Sequence, residues 1–198
     1  MNILVVLAHP SPGSFNHAIA DTVLSAIREN GHTARLLDLY EQGFDSHLPR
    51  EEIPADGDVA PEIEALCRDL TSADGIVIVH PNWWGQPPAV LKGWIDRVFR
   101  PGVAYRFLEG DDGEGVPEGL LAARAALVFN TANTPQKREQ SVFGDPLELI
   151  WRRCIFELCG VDMFHRRMFT VVVTSTEKER KRWLEEVRAD VHTYFPAG

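Results

Sequence analysis

Small polar and aromatic side chains collect in three segments, each at the end of an apolar run. The first covers residues 9–17 and carries His9, Ser14 and Asn16 directly before a helical pattern. Backbone N–H groups and the helix dipole attract phosphate at such a strand-to-helix turn, and Ser14 and Asn16 add neutral donors. The segment therefore predicts a phosphate site, with simple helix capping as the alternative.

The second segment, residues 80–88, reads His-Pro-Asn-Trp-Trp-Gly-Gln-Pro-Pro, and the third, residues 130–145, begins Asn-Thr-Ala-Asn-Thr-Pro. Large flat side chains beside backbone amides suit a planar heteroaromatic ring, although Trp83 and Trp84 could also be packing residues at a helix start. The third segment adds small polar contacts. Taken together, the three segments predict a mononucleotide site.

Several other kinds of site lack the residues they need. The sequence contains neither GxGxxG nor GxxxxGK[ST], which argues against dinucleotide binding of the Rossmann type and against P-loop hydrolysis. Ala8-His9-Pro10 resembles the start of the AHPDD motif in LmbE-like zinc deacetylases, but Ser11 and Pro12 replace both acidic residues. The three cysteines show no CxxC spacing. We therefore predict no metal site and a neutral His9 beside phosphate.

The elements that must position these segments are short apolar runs alternating with helical patterns. Such alternation predicts a parallel sheet with helices on both faces, a flavodoxin-like three-layer α/β sandwich of five strands in the order 2-1-3-4-5. Ligands of this fold bind beyond the carboxyl ends of the strands. The predicted strands are residues 3–7, 33–37, 76–79, 125–129 and 169–173.

Helix boundaries are marked by capping residues. Gly31 stands in the C-terminal capping position of the first helix, and Thr176 with Glu179 forms a capping box for the last. Asp145 followed by Pro146 predicts the start of the fourth helix.

Composition limits the architecture and the partners. The chain has 198 residues, 44% of them hydrophobic, which suits one domain spanning residues 1–198. A net charge of −9 opposes binding to nucleic acid or to an anionic membrane surface. Residues 3–7 are too short for a membrane span and lack a basic leader, so we expect a cytoplasmic location. The polar, glycine-rich residues 110–119 predict a surface excursion.

The motifs also match a known family. The stretch from His9 to Asn16 with Ala18, followed by Pro81, Trp84 and residues 88–99, resembles the NAD(P)H:quinone oxidoreductase (DT-diaphorase-like) family of flavodoxin-fold flavoproteins, in its short bacterial form. The resemblance covers nearly the whole chain. It implies a flavin that takes hydride from NAD(P)H and passes two electrons to a quinone-like acceptor, with ping-pong kinetics because one site serves both substrates.

The resemblance also implies roles for individual residues. Trp84, Tyr105 and Asn133 are expected to take part in catalysis, with Tyr105 and Phe107 reaching the site of a second subunit in a homodimer. FMN is the expected cofactor, with FAD left open, and NAD(P)H the co-substrate. The implied cofactor-binding residues are His9, Ser14, Phe15, Asn16, Ala18, Pro81, Asn82, Trp83, Trp84, Gly85, Gln86, Thr131, Ala132, Asn133 and Thr134.

One region departs from the family pattern. Animal members carry a tyrosine and a histidine in the fourth loop, where this chain has Lys137, Arg138 and Phe143. Asn133, Lys137 or Arg138 are the candidates to replace them, and a solvated charge cluster is the alternative. Two other functions stay open: a redox-sensing ancillary subunit of an ion-efflux system, which would share these motifs, and a flavodoxin-like one-electron carrier.

Overall fold

A computed structural model describes residues 1–54, 57–108, 110 and 115–198, and its centre is a five-stranded parallel sheet. The sheet strands are β1 (Asn2–Leu7), β2 (Thr33–Asp38), β3 (Gly75–Pro81), β6 (Ala125–Ala132) and β7 (Phe164–Thr170). They lie in the order β2-β1-β3-β6-β7. Two short strands, β4 (Tyr105–Arg106) and β5 (Glu118–Gly119), form a separate antiparallel pair. The predicted order 2-1-3-4-5 did not include this pair, so its fourth and fifth strands correspond to β6 and β7.

Helices connect the strands. The α-helices are α1 (Phe15–Glu29), α2 (Pro61–Thr71), α3 (Ala89–Val98), α4 (Gln136–Phe143), α5 (Pro146–Leu149) and α6 (Glu177–Tyr194). Helix α5 continues without a break into a π-helical stretch, Ile150–Glu157. Two short 3₁₀ turns occur at Arg50–Glu52 and Val172–Thr174.

The hydrophobic core consists of two clusters that use alternate residues of the strands. On β1, Leu4 and Val6 join residues of α2, α3 and α5 in one cluster. Ile3, Val5 and Leu7 join residues of α1 and α6 in the other. Because successive side chains of a strand point to opposite faces of a sheet, each cluster buries one set of alternating side chains.

The predicted capping residues at both ends of the chain are confirmed. Gly31 follows α1 with a φ of 76°, a left-handed conformation that favours glycine. Thr176 accepts a hydrogen bond from the Glu179 N–H, and the Glu179 carboxylate accepts one from the Thr176 N–H, which completes the capping box of α6. These local sequence signals therefore predict the end of α1 and the start of α6 correctly.

The fifth strand was wrongly placed. We predicted it at residues 169–173, but β7 begins at Phe164 and ends at Thr170. Two arginines interrupt the apolar pattern, and the structure shows how β7 accommodates them. Arg166 is almost fully buried in a polar network, and Arg167 pairs with Asp190 of α6 at 2.5–2.8 Å. Carboxylates from other elements thus allow a charged sequence to form a strand.

The third predicted loop contains a helix. Residues 136–143 form α4, whose polar sequence gave no apolar stripe because Glu139 is its one buried residue. Asp145 does precede α5, but it does not cap that helix: its carboxylate binds Arg166 instead. Arg166 also donates to Asn130 on β6 at 2.7 Å and to Glu148 at 3.0 Å. This network holds the turn before α5 against the ends of β6 and β7.

A buried ion pair fixes the segment before α2 against α3. Arg97 donates to both carboxylate oxygens of Glu52, at 2.6 and 2.9 Å, and the two side chains are 6% and 3% exposed. Its third donor reaches the Asp45 carbonyl at 2.8 Å, and its guanidinium lies 5.8 Å from the centre of the Phe44 ring. Hydrogen bonding to Arg97 lowers the pKa of Glu52.

One predicted surface segment is described only in part. Residues 111–114, within the predicted surface excursion at 110–119, lie outside the described residues. In the ranges that the structure covers, no helix is both long and apolar enough to span a bilayer. The same ranges hold no group of three or more His, Cys, Asp or Glu side chains arranged to bind a metal ion.

Candidate functional site

The three polar segments meet in one cleft of about 490 Å³ at the carboxyl ends of β1, β3 and β6. This is the edge of a parallel sheet where ligands of open α/β folds bind. The cleft is also lined by Gly13, by Val172 and Val173 after β7, and by Arg180 of α6. The predicted cofactor-binding residues that line it are His9, Ser14, Phe15, Asn16, Pro81, Asn82, Trp83, Thr131, Ala132, Asn133 and Thr134.

One end of the cleft is the amino-terminal end of α1. Ser14 is the N-cap, and its hydroxyl oxygen accepts from the His17 N–H at 3.4 Å. The first N–H groups of a helix have no partner within the helix, so those of Phe15 and Asn16, which precede the capped N–H of His17, are available to an anion. Arg180 adds a positive charge to the same cleft. This donor set fits a phosphate group.

His9 contributes a neutral donor at that end. Its Nδ1 lies 3.1 Å from the Ser11 nitrogen and 3.3 Å from the Ser11 carbonyl oxygen; when Nδ1 accepts from the Ser11 N–H, the ring proton is on Nε2. Burial lowers the pKa of His9, which favours the uncharged ring. The structure therefore gives His9 one N–H for hydrogen bonding and no charge at neutral pH.

The side chains of Asn16 and Asn133 form hydrogen bonds within the chain. The Asn16 amide bonds to the Thr131 hydroxyl at 3.0 Å and is buried, so it ties α1 to the end of β6. The Asn133 side-chain oxygen accepts from the Val173 N–H at 3.0 Å. Both residues line the cleft, and their side-chain hydrogen bonds join its walls. They therefore help to set the shape of the cleft.

The tryptophan segment forms a tight turn. Trp83 and Gln86 exchange two backbone hydrogen bonds of 3.0–3.1 Å, and the residues between them, Trp84 and Gly85, have φ values of 58° and 71°. Two consecutive left-handed residues are the pattern of a type I′ turn, which normally takes Asn or Gly. Trp84 is instead fully exposed at the tip. Packing therefore does not explain why a tryptophan occupies this strained position.

Replacing Trp84 by asparagine is expected to raise the free energy of unfolding by roughly 1 kcal/mol, because asparagine tolerates the left-handed conformation better. Urea unfolding followed by circular dichroism measures the change. Trp84→Phe keeps the strain and should leave stability unaltered. If Trp84→Asn were no more stable than the wild type, the turn would not be strained.

A second cleft of about 400 Å³ adjoins the first and shares Asn82 and Thr134 with it. Trp84, Gly85, Phe143 and Pro146 supply an apolar lining. Glu139 also lines it although the residue is only 2% exposed, and its carboxylate accepts from the Asn82 side chain at 2.9 Å. Asn82 in turn accepts from the Gly85 N–H at 2.9 Å. Glu139 and Asn82 thus brace the tryptophan turn.

Sequence analysis missed the two charged residues of these clefts. Glu139 stands beside the candidates Lys137 and Arg138, which are exposed and line neither cleft. Arg180 belongs to α6, 35 residues beyond the end of the last predicted segment at residue 145, and the sequence pattern gives no sign that α6 reaches the site. Of the predicted residues, Ala18, Gln86 and Tyr105 line neither cleft. Tyr105 is half-buried and lies edge-on to Phe107, with their ring centroids 5.7 Å apart.

A buried histidine fixes the end of β3. His80 is fully buried, its Nε2 accepts from the Trp151 indole N–H at 3.0 Å, and its Nδ1 donates to the Pro81 carbonyl at 2.8 Å. Burial lowers the pKa of His80 to about 4, so the ring is neutral and both nitrogens are satisfied. This pair of bonds ties the floor of the cleft to the π-helical stretch after α5.

Known proteins resemble this chain in sequence and in fold. A family described as having a flavodoxin-like fold matches residues 1–194. An NAD(P)H oxidoreductase of Haemophilus influenzae, described as uncharacterized, is 34% identical over 93% of this chain and 91% of its own. NAD(P)H dehydrogenase (quinone) 1 of Rattus norvegicus is 32% identical over 97% of this chain and 77% of its own. The NAD(P)H:quinone oxidoreductase of Methanothermobacter marburgensis superposes with a TM-score of 0.84, at 25% identity, over 98% and 96% of the two chains.

The match and the fold place this chain in the flavodoxin-like family. Within that family, it belongs with relatives named NAD(P)H oxidoreductases and NAD(P)H dehydrogenases (quinone), which confirms the resemblance seen in the sequence.

Proposed function

We propose that this protein is a flavin-dependent NAD(P)H oxidoreductase that transfers two electrons, as hydride, to a quinone-like acceptor. The observation that carries the proposal is the joined pair of clefts at the carboxyl ends of the strands. One end holds phosphate donors and the other holds exposed aromatic rings. The names of the relatives support the same activity.

A flavin mononucleotide fits the donors of the larger cleft. The free N–H groups of α1, the Ser14 hydroxyl, the His9 Nε2–H and Arg180 would hold the phosphate. Trp83, with Asn82 and Thr134 at the junction of the clefts, would border the ring. When bound, a flavin supplies hydride acceptance and two-electron transfer. The chain's own residues supply binding and orientation.

FMN is preferred over FAD on electrostatic grounds. A third cleft, of about 320 Å³, adjoins the phosphate end through His9 and is lined by Asp38 and Glu41. Two carboxylates there would repel a second phosphate. A cofactor with a single phosphate therefore suits this end of the site better than a pyrophosphate.

The smaller cleft is the proposed site for NAD(P)H and the acceptor in turn. Trp84 and Phe143 offer exposed aromatic surface to a nicotinamide or a quinone ring. Glu139, through Asn82, keeps the turn that carries Trp84 in place. A single cleft used by both substrates requires that the first product leave before the acceptor binds, which predicts ping-pong kinetics.

Several broader features belong to the same proposal. We take residues 1–198 as a single domain, with helices on both faces of the sheet as the two core clusters favour. A homodimer is proposed because Tyr105 and Phe107 line neither cleft of their own chain and Phe107 is 56% exposed. The cytoplasmic location remains a sequence-based prediction.

The proposal is tested by anaerobic stopped-flow measurement. Protein reconstituted with FMN is mixed with NADPH or NADH, and then with menadione, while flavin absorbance is followed. We expect rapid bleaching by the nicotinamide and rapid recovery with the quinone, and parallel lines in steady-state double-reciprocal plots. Intersecting lines would exclude the shared cleft. A failure to bleach would exclude the enzymatic function and favour a regulatory subunit or an electron carrier.

A further inference from the structure

Behind the phosphate end of the cleft, three side chains form a connected row. The Ser14 hydroxyl oxygen lies 2.8 Å from Nδ1 of His17, and Nε2 of His17 lies 3.4 Å from the Asp38 carboxylate. Asp38 is 5% exposed, and its other oxygen accepts from the Tyr40 and Glu41 N–H groups at 3.0 and 3.1 Å. Ser14 lines the larger cleft, whereas His17 and Asp38 line the third cleft beside it.

The protonation of His17 decides which way the Ser14 hydroxyl points. The Asp38 carboxylate lies 3.4 Å from Nε2 of His17, so its negative charge favours a ring proton on Nε2 over one on Nδ1. When Nδ1 is bare, the Ser14 hydroxyl must donate to it and its proton points away from the cleft. When Nδ1 carries a proton, it donates to the Ser14 oxygen, and the hydroxyl proton is free for an acceptor in the cleft.

An anion in the cleft should therefore select the second arrangement. A phosphate oxygen gains the Ser14 hydroxyl as a donor and a nearby imidazolium as a charge, and Asp38 balances that charge from the other side. The additional proton comes from solvent and resides on Nδ1 of His17.

We propose that His17, held by Asp38, is a positioning residue that couples the binding of the flavin phosphate to the uptake of one proton. The inference rests on the proposed function, because it takes a flavin phosphate as the anion. The coupling orients the hydrogen-bond donors that bind phosphate, and it does not depend on which electron acceptor the enzyme uses.

Other titratable groups face His17 and belong to the same balance. Asp38, Tyr40 and Glu41 approach from the segment after β2. The His9 ring lies edge-on, with centroids 6.2 Å apart, and Asp21 stands one turn further along α1. The carboxylates would lie close to a proton taken up by His17, and a neutral His9 adds no opposing charge.

Calorimetric titration of the flavin-free protein with FMN tests the coupling. The titration is run at pH 8 in buffers of different ionisation enthalpy, which gives the number of protons taken up. At this pH the FMN phosphate is fully dianionic, because its second pKa is about 6. Riboflavin, which lacks the phosphate, is the matched ligand. The variants are His17→Gln, Asp38→Asn, which keeps the oxygen that accepts from Tyr40 and Glu41, and the control His47→Gln at an exposed position.

We expect wild type and His47→Gln to take up close to one proton with FMN and none with riboflavin. His17→Gln should abolish the uptake and weaken FMN binding about tenfold, since a hydrogen bond to a charged group is lost, and Asp38→Asn should reduce the uptake. FMN binding without proton uptake, or equal uptake by His17→Gln, would overturn the inference and leave the proposed function intact. No binding of FMN to the wild type would overturn both.

Discussion

Replacing Ser14 by aspartate is expected to weaken FMN binding by roughly 100- to 1000-fold while leaving the affinity for riboflavin unchanged. Aspartate is as good an N-cap as serine, so α1 should keep its start. The new carboxylate, however, would lie within a few ångströms of the phosphate. Two like charges about 4 Å apart near a protein surface repel by roughly 4 kcal/mol, which corresponds to about a thousandfold in affinity.

Quenching of flavin fluorescence by the flavin-free variant measures both affinities. Ser14→Ala is the matched variant: it removes the cap and the hydroxyl without adding charge, and it should weaken FMN binding by about tenfold. An equal loss of FMN and riboflavin affinity in Ser14→Asp would show that the phosphate lies elsewhere.

Replacing Glu52 by alanine is expected to lower the free energy of unfolding by about 3–5 kcal/mol, because it leaves Arg97 charged, buried and without its carboxylate. The effect depends on pH. Since the pKa of Glu52 is lowered in the folded protein, the pair stabilises the fold above the pKa of an unfolded glutamate, about 4.3, and its contribution is lost as the pH falls through the folded-state value. The wild type and Glu52→Ala should therefore become more alike in acid.

Urea unfolding at neutral pH and near pH 3 measures both parts of this prediction. Glu64→Ala is the control, because Glu64 is 57% exposed and lies 3.7 Å from Arg68, and exposed pairs of this kind contribute about 1 kcal/mol or less. A loss below 1 kcal/mol in Glu52→Ala would mean that the structure relaxes to expose Arg97 to water.

The sequence predicts the parts of the fold in which local pattern and burial agree. Strands β1, β3 and β6 are continuous apolar runs and are buried along nearly their whole length, so their pattern matches their environment. Strand β7 was misplaced because its arginines are neutralised by carboxylates from α5 and α6, which no local pattern reveals. Helix α4 was missed for the opposite reason, since it buries almost nothing.

The candidate site likewise divides into residues that a local sequence pattern reveals and residues that it does not. Residues 9–16 and 81–84 could be found because each group is contiguous and follows a strand. Glu139, Arg180 and the Ser14–His17–Asp38 row depend on contacts between elements distant in sequence. One local signal was available: His17 occupies the third position after the N-cap Ser14, where a capping box would place Glu or Gln.

The charges on β7 also bear on how copies of this chain can associate. β7 is the outermost strand of the sheet, and a bare outermost strand is a template on which another chain can add a strand and aggregate. Here Arg166 and Arg167 are held in ion pairs with carboxylates of the same chain. Sheet extension would bring two copies of these ion pairs side by side. We therefore expect this edge to resist fibrous stacking, and any dimer to form through another face of the molecule.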